Sequence, residues 1–265
     1  MQKLDVFMKI KIDYTRSAQG NADQYFRLSK KLKKKSEGAV IAIADLEQKR
    51  SAMASKPVKE LKIRRLVEKK WYEKFNWFNT SNSMLAIGGR SALQNELINS
   101  RYFESNDLFF HADVFGASLV VLKDGTNASR EVREEAAQFA ACYSKAWEGG
   151  TASVNVYSLK RDQVSKSKEK GSLGTGSFLM EGEREWFKGV ALELCAYMGK
   201  GSEQRLVVVP TSTCMALGLK RYLLLKPGNL KKSDAAKAIA AKLKFDDIDY
   251  IMQHLPPGGF SIKEV

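Results

Sequence analysis

The spacing of hydrophobic positions changes from one region of the chain to the next. In residues 7–13, Phe-Met-Lys-Ile-Lys-Ile-Asp, apolar and charged side chains alternate, which predicts a short strand. From Asn21 to about Met53 the period lengthens. Tyr25, Ser29, Leu32, Ser36, Ala39, Ile43, Leu46, Arg50 and Met53 fall at alternating steps of four and three, a heptad-like seam. Half of that seam is small or polar, which suits a two-helix arm better than a globular core. Pro57 ends the pattern.

From there to Pro210 no proline intervenes. Residues 74–80 and 84–88 predict two strands joined by a Ser-Asn-Ser turn. Ser91 followed by Gln94 is a capping box opening a helix to about Ser100. Residues 108–111 and 118–122 predict strands. Ser129 caps a helix reaching about Trp147, with Val132, Ala136, Phe139, Ala140 and Tyr143 inward. Strands at 153–158 and 177–180 flank a Lys/Ser/Gly-rich loop. The last part reads strand (205–209), helix (211–217), strand (221–225), a helix capped at Ser233, and a helical turn or two over 246–254. The fold class is α+β: a mixed or antiparallel sheet with covering helices, preceded by a long basic coiled-coil-like arm and followed by a small α/β tail. The expected divisions are 1–70, 71–198 and 199–265.

Charge separates these parts. The 265 residues carry 44 Lys+Arg and 30 Asp+Glu, a net +14. Residues 1–70 hold 19 basic and 8 acidic side chains, a surplus of 11, and the rest holds a surplus of only 3. Lys30, Lys31, Lys33, Lys34 and Lys35 cluster without one acid, and Arg64 and Arg65 sit in a second basic stretch. Like charges one helical turn apart repel, so such a cluster is built to be neutralised by an anionic partner. A membrane surface fits poorly, because no wide face of Trp, Phe and Leu opposes the lysines. Three scattered cysteines and two histidines leave little for a disulfide framework, a zinc site or a His-dependent triad. Without a long apolar run or an evident signal segment, the chain reads as cytoplasmic, with no cofactor and no metal.

Three patterns carry candidate chemistry. Gly88-Gly89-Arg90 before a helix is a possible phosphate cradle: bare amides, a helix N-terminus and a guanidinium, with Asn95 one turn on. His111 and Asp113 alternate at a strand end, where they would share a ligand or, in an enzyme, act as acid and base. Lys160, Arg161, Lys166, Lys168 and Lys170 lie in a serine- and glycine-rich loop beside aromatic strands. That combination suits contacts with single-stranded or looped RNA. Trp77 and Phe78 point to opposite faces, so at most one of them is a stacking platform.

Several stretches, in order, resemble the second half of proteins of the NFACT family, the RqcH/NEMF-like factors of ribosome-associated quality control. Lys74–Phe78 is similar to the family's K-[FY]-x-W-F, and Ile87-Gly-Gly-Arg-Ser-Ala-Leu-Gln-Asn-Glu96 to I-G-G-R-D-A-x-x-N-E. His111-Ala-Asp-Val-Phe-Gly-Ala-Ser118 resembles H-A-D-V-H-G-A-S. Gln163–Lys166 and Gly176–Gly182 match Q-V-S-K and G-S-F-M-I-x-G. Asn21-Ala-x-x-Tyr-Phe with Lys30–Lys35 resembles the family's coiled-coil segment, and Leu255-Pro-Pro-Gly258 resembles archaeal members. Ser91 replaces the usual Asp, Phe115 the second His, and Ser83 a common Gly.

The resemblance implies an RNA-binding NFACT-R domain that contacts tRNA and the large ribosomal subunit in the rescue of stalled nascent chains, without catalysis. Arg90, Asn95, His111, Asp113, Lys160, Lys166 and Trp77 are the expected RNA contacts, with Gly88, Gly89 and Arg90 at phosphate. The NFACT-N and helix-hairpin-helix domains have no counterpart in these residues. A separate N-terminal half, or a second copy, is therefore the expected partner of the helical seam. The alternatives are an RNA-processing enzyme using His111 and Asp113, and a coiled-coil adaptor. The family's older name, fibronectin-binding protein, suggests a cell-surface role, but nothing in the sequence directs export.

Overall fold

The computed structural model describes residues 10–54, 70–168, 171–172, 174–199 and 205–265. The chain divides into two compact units, Met1–Glu68 and Lys69–Val265. Arg64, Arg65 and most of the strand expected at 7–13 fall outside the described residues, and residues 10–13 are not strand.

In the first unit a helix, α1, runs from Ala18 to Ala54, about 55 Å at 1.5 Å per residue. Its start is fixed by Asn21, whose Oδ1 accepts the Asp13 N–H (2.9 Å) and whose Nδ2 donates to the Asp13 carbonyl (2.9 Å). Tyr25 Oη donates to the Lys11 carbonyl at 2.7 Å. Beyond this first turn the helix buries almost nothing. Phe26, Ile41 and Leu46 are exposed, as are the five clustered lysines.

The second unit is α+β, with antiparallel pairing in every sheet. In chain order it comprises β1 (Asn76–Asn79), β2 (Leu85–Gly88), α2 (Ala92–Arg101), β3 (Leu108–Ala112), β4 (Val120–Leu122), α3 (Arg130–Cys142), α4 (Lys145–Glu148) and β5 (Ser153–Lys160). The short strands β6 (Val164–Ser165), β7 (Ser167–Lys168), β8 (Gly171–Ser172) and β9 (Leu179–Met180) follow, then β10 (Glu185–Ala191) and β11 (Leu194–Met198). The chain ends with β12 (Leu206–Pro210), α5 (Thr211–Ala216), β13 (Leu223–Leu230), α6 (Lys232–Leu243), α7 (Ile248–His254) and β14 (Phe260–Glu264). A six-stranded sheet has the order β1-β2-β4-β3-β5-β10, and a four-stranded one the order β12-β11-β13-β14.

Helix α3 joins the two sheets. It packs on β3, β4, β5 and β10 and also on α5 and β12. Its five expected inward residues are all buried, and Phe139 lies between the rings of Phe78 (4.7 Å) and Tyr143 (4.4 Å). The buried Glu135 carboxylate accepts the Ser81 N–H (2.8 Å), the Ser81 hydroxyl and the Thr213 hydroxyl (2.8 Å), tying the β1–β2 turn to α5. One core therefore runs through both sheets.

Several expected elements are redrawn. The helix expected to reach Trp147 ends at Cys142, because Ser144 caps a new turn by accepting the Ala146 N–H (3.2 Å). Ser233 lies inside α6 and does not cap it. The strand expected at 177–180 shrinks to β9, which pairs with β6 outside the main sheet; β10 is the strand that edges β5. A register shift between Phe187 and Val190 breaks the alternation of β10, which hid it in the sequence. The strands of the tail pair antiparallel, and β11, one of the two inner strands of that sheet, precedes residue 199. Among the described residues no helix is long and apolar enough to cross a membrane.

Candidate functional site

The face of the six-stranded sheet opposite α3 is only partly covered. Trp77, Ile87, Val121, Phe109 and Leu159 pair in register across five strands and form its core row, with Ile98 of α2 packed in the same cluster. Two residues along, the row reads His111 on β3, Tyr157 on β5 and Trp186 on β10, paired directly across the strands. Here cover runs out. Trp186 is 38% exposed, its ring 5.3 Å from that of Tyr157, and the Arg184 guanidinium lies over Tyr157 at 4.4 Å. Trp186 is thus the one exposed ring of the row, backed by the buried Tyr157 and flanked by the Arg184 cation, a surface on which an unpaired base can stack.

His111 belongs to this row. Its Nδ1 is 3.4 Å from Tyr157 Oη, which donates to Met180 Sδ (2.9 Å). Burial holds its pKa below the ordinary imidazole range. The backbone of Ala112 and Ala117 and the charge of Asp113 oppose that shift, and Arg184 adds to it. The ring is therefore neutral at pH 7. Asp113 makes no hydrogen bond to it. β3 ends at Ala112, and the exposed Asp113 uses its N–H on the Asn155 carbonyl (2.8 Å), so the expected His–Asp pair does not form.

The amide cradle expected at Gly88-Gly89-Arg90 is also absent. Gly88 is a strand residue, the Gly89 N–H donates to the Leu119 carbonyl (3.1 Å), and the Arg90 N–H donates to Gln94 Oε1 (2.9 Å). The Arg90 guanidinium is braced on the Phe75 carbonyl (2.8 Å) and Asn76 Oδ1 (3.1 Å). It borders a cavity of about 440 Å³ that also gathers Lys145, Lys232 and Glu148. Burial lowers the pKa of both Arg90 and Lys232, and the charge of Arg90 adds to the effect at Lys232. Three cations against one acid make this an anion-favouring pocket built from side chains rather than amides.

A second cavity, of about 420 Å³, shares Ala92, Asn95, Gly116 and Ala117 with the first and adds His111, Phe115, Phe178 and Met180. Asn95 and His111 therefore line one cavity, a juxtaposition that their spacing along the chain does not predict. Lys166 forms an ion pair with Glu96, whose Oε1 also accepts the Gly176 N–H (3.1 Å); it straps the 174–178 segment to α2. Lys160 is exposed at the end of β5. Trp77 lies on β1, at the opposite edge of the sheet from β10, packed with Tyr72 (4.9 Å) and His254 (6.3 Å). Phe78 is core, as one of that pair had to be.

Tyr157, Arg184, Trp186 and Lys232 were not anticipated. The alternation of Glu185, Trp186 and Phe187 held a signal for Trp186, but a neighbouring lysine and glycine obscured the strand.

Residues 74–182 match the model of the NFACT protein RNA binding domain, NFACT-R. This chain carries an NFACT-R domain. It is 37% identical over 207 residues to the archaeal Rqc2 homolog aRqcH of Methanocaldococcus jannaschii, covering 76% of this chain and 30% of that one. It is 34% identical over 176 residues to the human ribosome quality control complex subunit NEMF, covering 64% of this chain and 16% of that one. The chain thus spans less than a third of the length of either relative. Neither is named as an enzyme. The C-terminal part of the fibronectin/fibrinogen-binding protein of Streptococcus suis superposes at a TM-score of 0.39 and 20% identity, over 66% of this chain and 77% of that one, too loosely to bear on fold or function. The NFACT-R match encloses the Arg90–Asn95, His111–Ser118 and Gly176–Gly182 segments and stops two residues short of Arg184.

Proposed function

We propose that this chain is a non-catalytic RNA-binding module of ribosome-associated quality control that engages tRNA and the large ribosomal subunit from the cytoplasm. The observation that carries the reading is the in-register row of His111, Tyr157 and Trp186 with Arg184 above it, inside and beside an RNA-binding domain. The exposed Trp186 ring would stack an unpaired base, and Arg90, Lys145, Lys160 and Lys232 would contact phosphates. The lysines of α1 would add contacts that depend on charge alone. The neutral His111, without a carboxylate partner, favours binding over acid–base chemistry.

The seam of α1 supports a helical partner as well. Tyr25, Leu28, Ser29 and Leu32 line an open groove along one side of the helix. A helix from an N-terminal NFACT half, or from a second copy, would cover it.

Co-sedimentation with large ribosomal subunits, bare and carrying peptidyl-tRNA, tests the reading. Binding that favours tRNA-bearing subunits and falls in a Trp186→Ala, Arg184→Ala double variant is expected. Failure to sediment with either, or binding indifferent to those changes, would overturn it.

A further inference from the structure

The cavity bounded by His111, Phe115, Phe178 and Met180 has features that a merely structural crevice does not need. Asn95 is only 9% exposed, yet its side chain makes no hydrogen bond; its Oδ1 is buried without a partner. A buried carboxamide left open costs about 1–3 kcal/mol and calls for a partner. The carboxamide oxygen packs directly against Gly89, where a Cβ would fall 2.0 Å from Asn95 Oδ1, so only glycine fits there and the amide is held at the cavity wall. Across the cavity Gly176 has φ +79, and a Cβ there would fall 2.7 Å from the Ala92 Cβ. The Glu96 strap holds this wall closed against α2. At the mouth, Phe115 is 95% exposed, with the Lys145 ammonium 5.7 Å from its ring.

We infer that this cavity takes one unstacked nucleobase, its face on Phe115 and its edge against the Asn95 carboxamide and the His111 imidazole. The inference rests on the RNA-binding reading above and adds a defined subsite to it. A planar heteroaromatic with donors and acceptors on its rim answers an open amide, a neutral imidazole, an exposed ring and apolar walls together. A simple anion would meet the wrong lining, because the cations Arg90 and Lys232 border the adjoining cavity instead. The shared wall of Ala92, Asn95, Gly116 and Ala117 leaves the nucleotide's own phosphate facing that cationic side.

The test compares the affinity of the full chain for a decameric oligoadenylate and for an abasic decamer of equal charge, as salt is varied. The intact chain is expected to prefer the base-bearing strand by at least about five-fold, the lower end of what stacking one base contributes. Phe115→Ala, at an exposed position, and Asn95→Leu, which keeps the size without adding charge, should each lower that preference without changing the salt slope. A preference that both variants retain in full would overturn the pocket and leave the RNA-binding reading standing, whereas equal affinity of the intact chain for the two strands would overturn the pocket and stacking at Trp186 together. Binding of neither strand would overturn both.

Discussion

The helical arm and the β3–β5–β10 face handle charge in opposite ways. On α1, five lysines stand within six positions, exposed, on a helix that buries little. In the second unit several cations have a built setting: Arg184 over Tyr157, Arg90 braced on Phe75 and Asn76, Lys166 on Glu96. A flexible cation offers a polyanion its charge and little else; a fixed one also imposes geometry. On the proposed function, the arm would set how strongly nucleic acid is held at a given salt, and the face which part of it is held.

The largest effect should fall on the body alone. Glu135→Ala leaves the Ser81 N–H, the Ser81 hydroxyl and the Thr213 hydroxyl without their acceptor and opens a void. It should cost about 3 kcal/mol, read as a lower urea midpoint at unchanged m-value. Changing all five arm lysines to Gln should leave the same midpoint within about 0.5 kcal/mol. Next is Trp186→Ala, which removes a stacking surface. It should weaken RNA binding by about five- to a hundred-fold at one salt concentration, with little change in stability. A loss of affinity matched by a loss of structure would return Trp186 to the core and blur the distinction. Smaller is Glu96→Ala, which releases Lys166 and the Gly176 N–H. It should cost about 1 kcal/mol and speed amide exchange around Gly176, while exchange in α3 is unchanged.

The smallest effect is in pH. His111 and His254 have folded pKa values lowered chiefly by burial, so below about pH 6.5 the unfolded chain takes up protons that the folded one resists. Stability is then full above that pH and declines as pH falls toward 5. His111→Gln should flatten part of the decline, measured as the slope of urea stability between pH 7 and 5. An unchanged slope would mean that His111 is not held neutral by its setting.

The sequence revealed most of what depends on local pattern. The long helix, the capped start of α2 at Ser91, the β1–β2 hairpin and the inward stripe of α3 follow from period and capping alone. Ser83 has a φ of 68, in the left-handed region that favours the glycine which the family resemblance led one to expect there. What could not be read depends on packing between distant segments. Strand β10 was hidden because its bulge breaks the alternation and its partner lies on the far side of a long loop. Gly89 and Asp113 escaped for the same reason: whether a backbone N–H is free depends on the Leu119 and Asn155 carbonyls that accept them, and spacing along the chain does not say.

The central claim is that the arm supplies charge and the sheet face supplies recognition. It is tested most directly by measuring the slope of log affinity against log salt for one single-stranded RNA with three proteins: the intact chain, the five-lysine-to-Gln variant and Trp186→Ala. The first variant should lower the slope by about 0.7 for each phosphate that the lysines no longer neutralise, and the second should lower affinity at every salt concentration with the slope unchanged. A slope unmoved when the five lysines are replaced, or lowered equally by Trp186→Ala, would contradict the account.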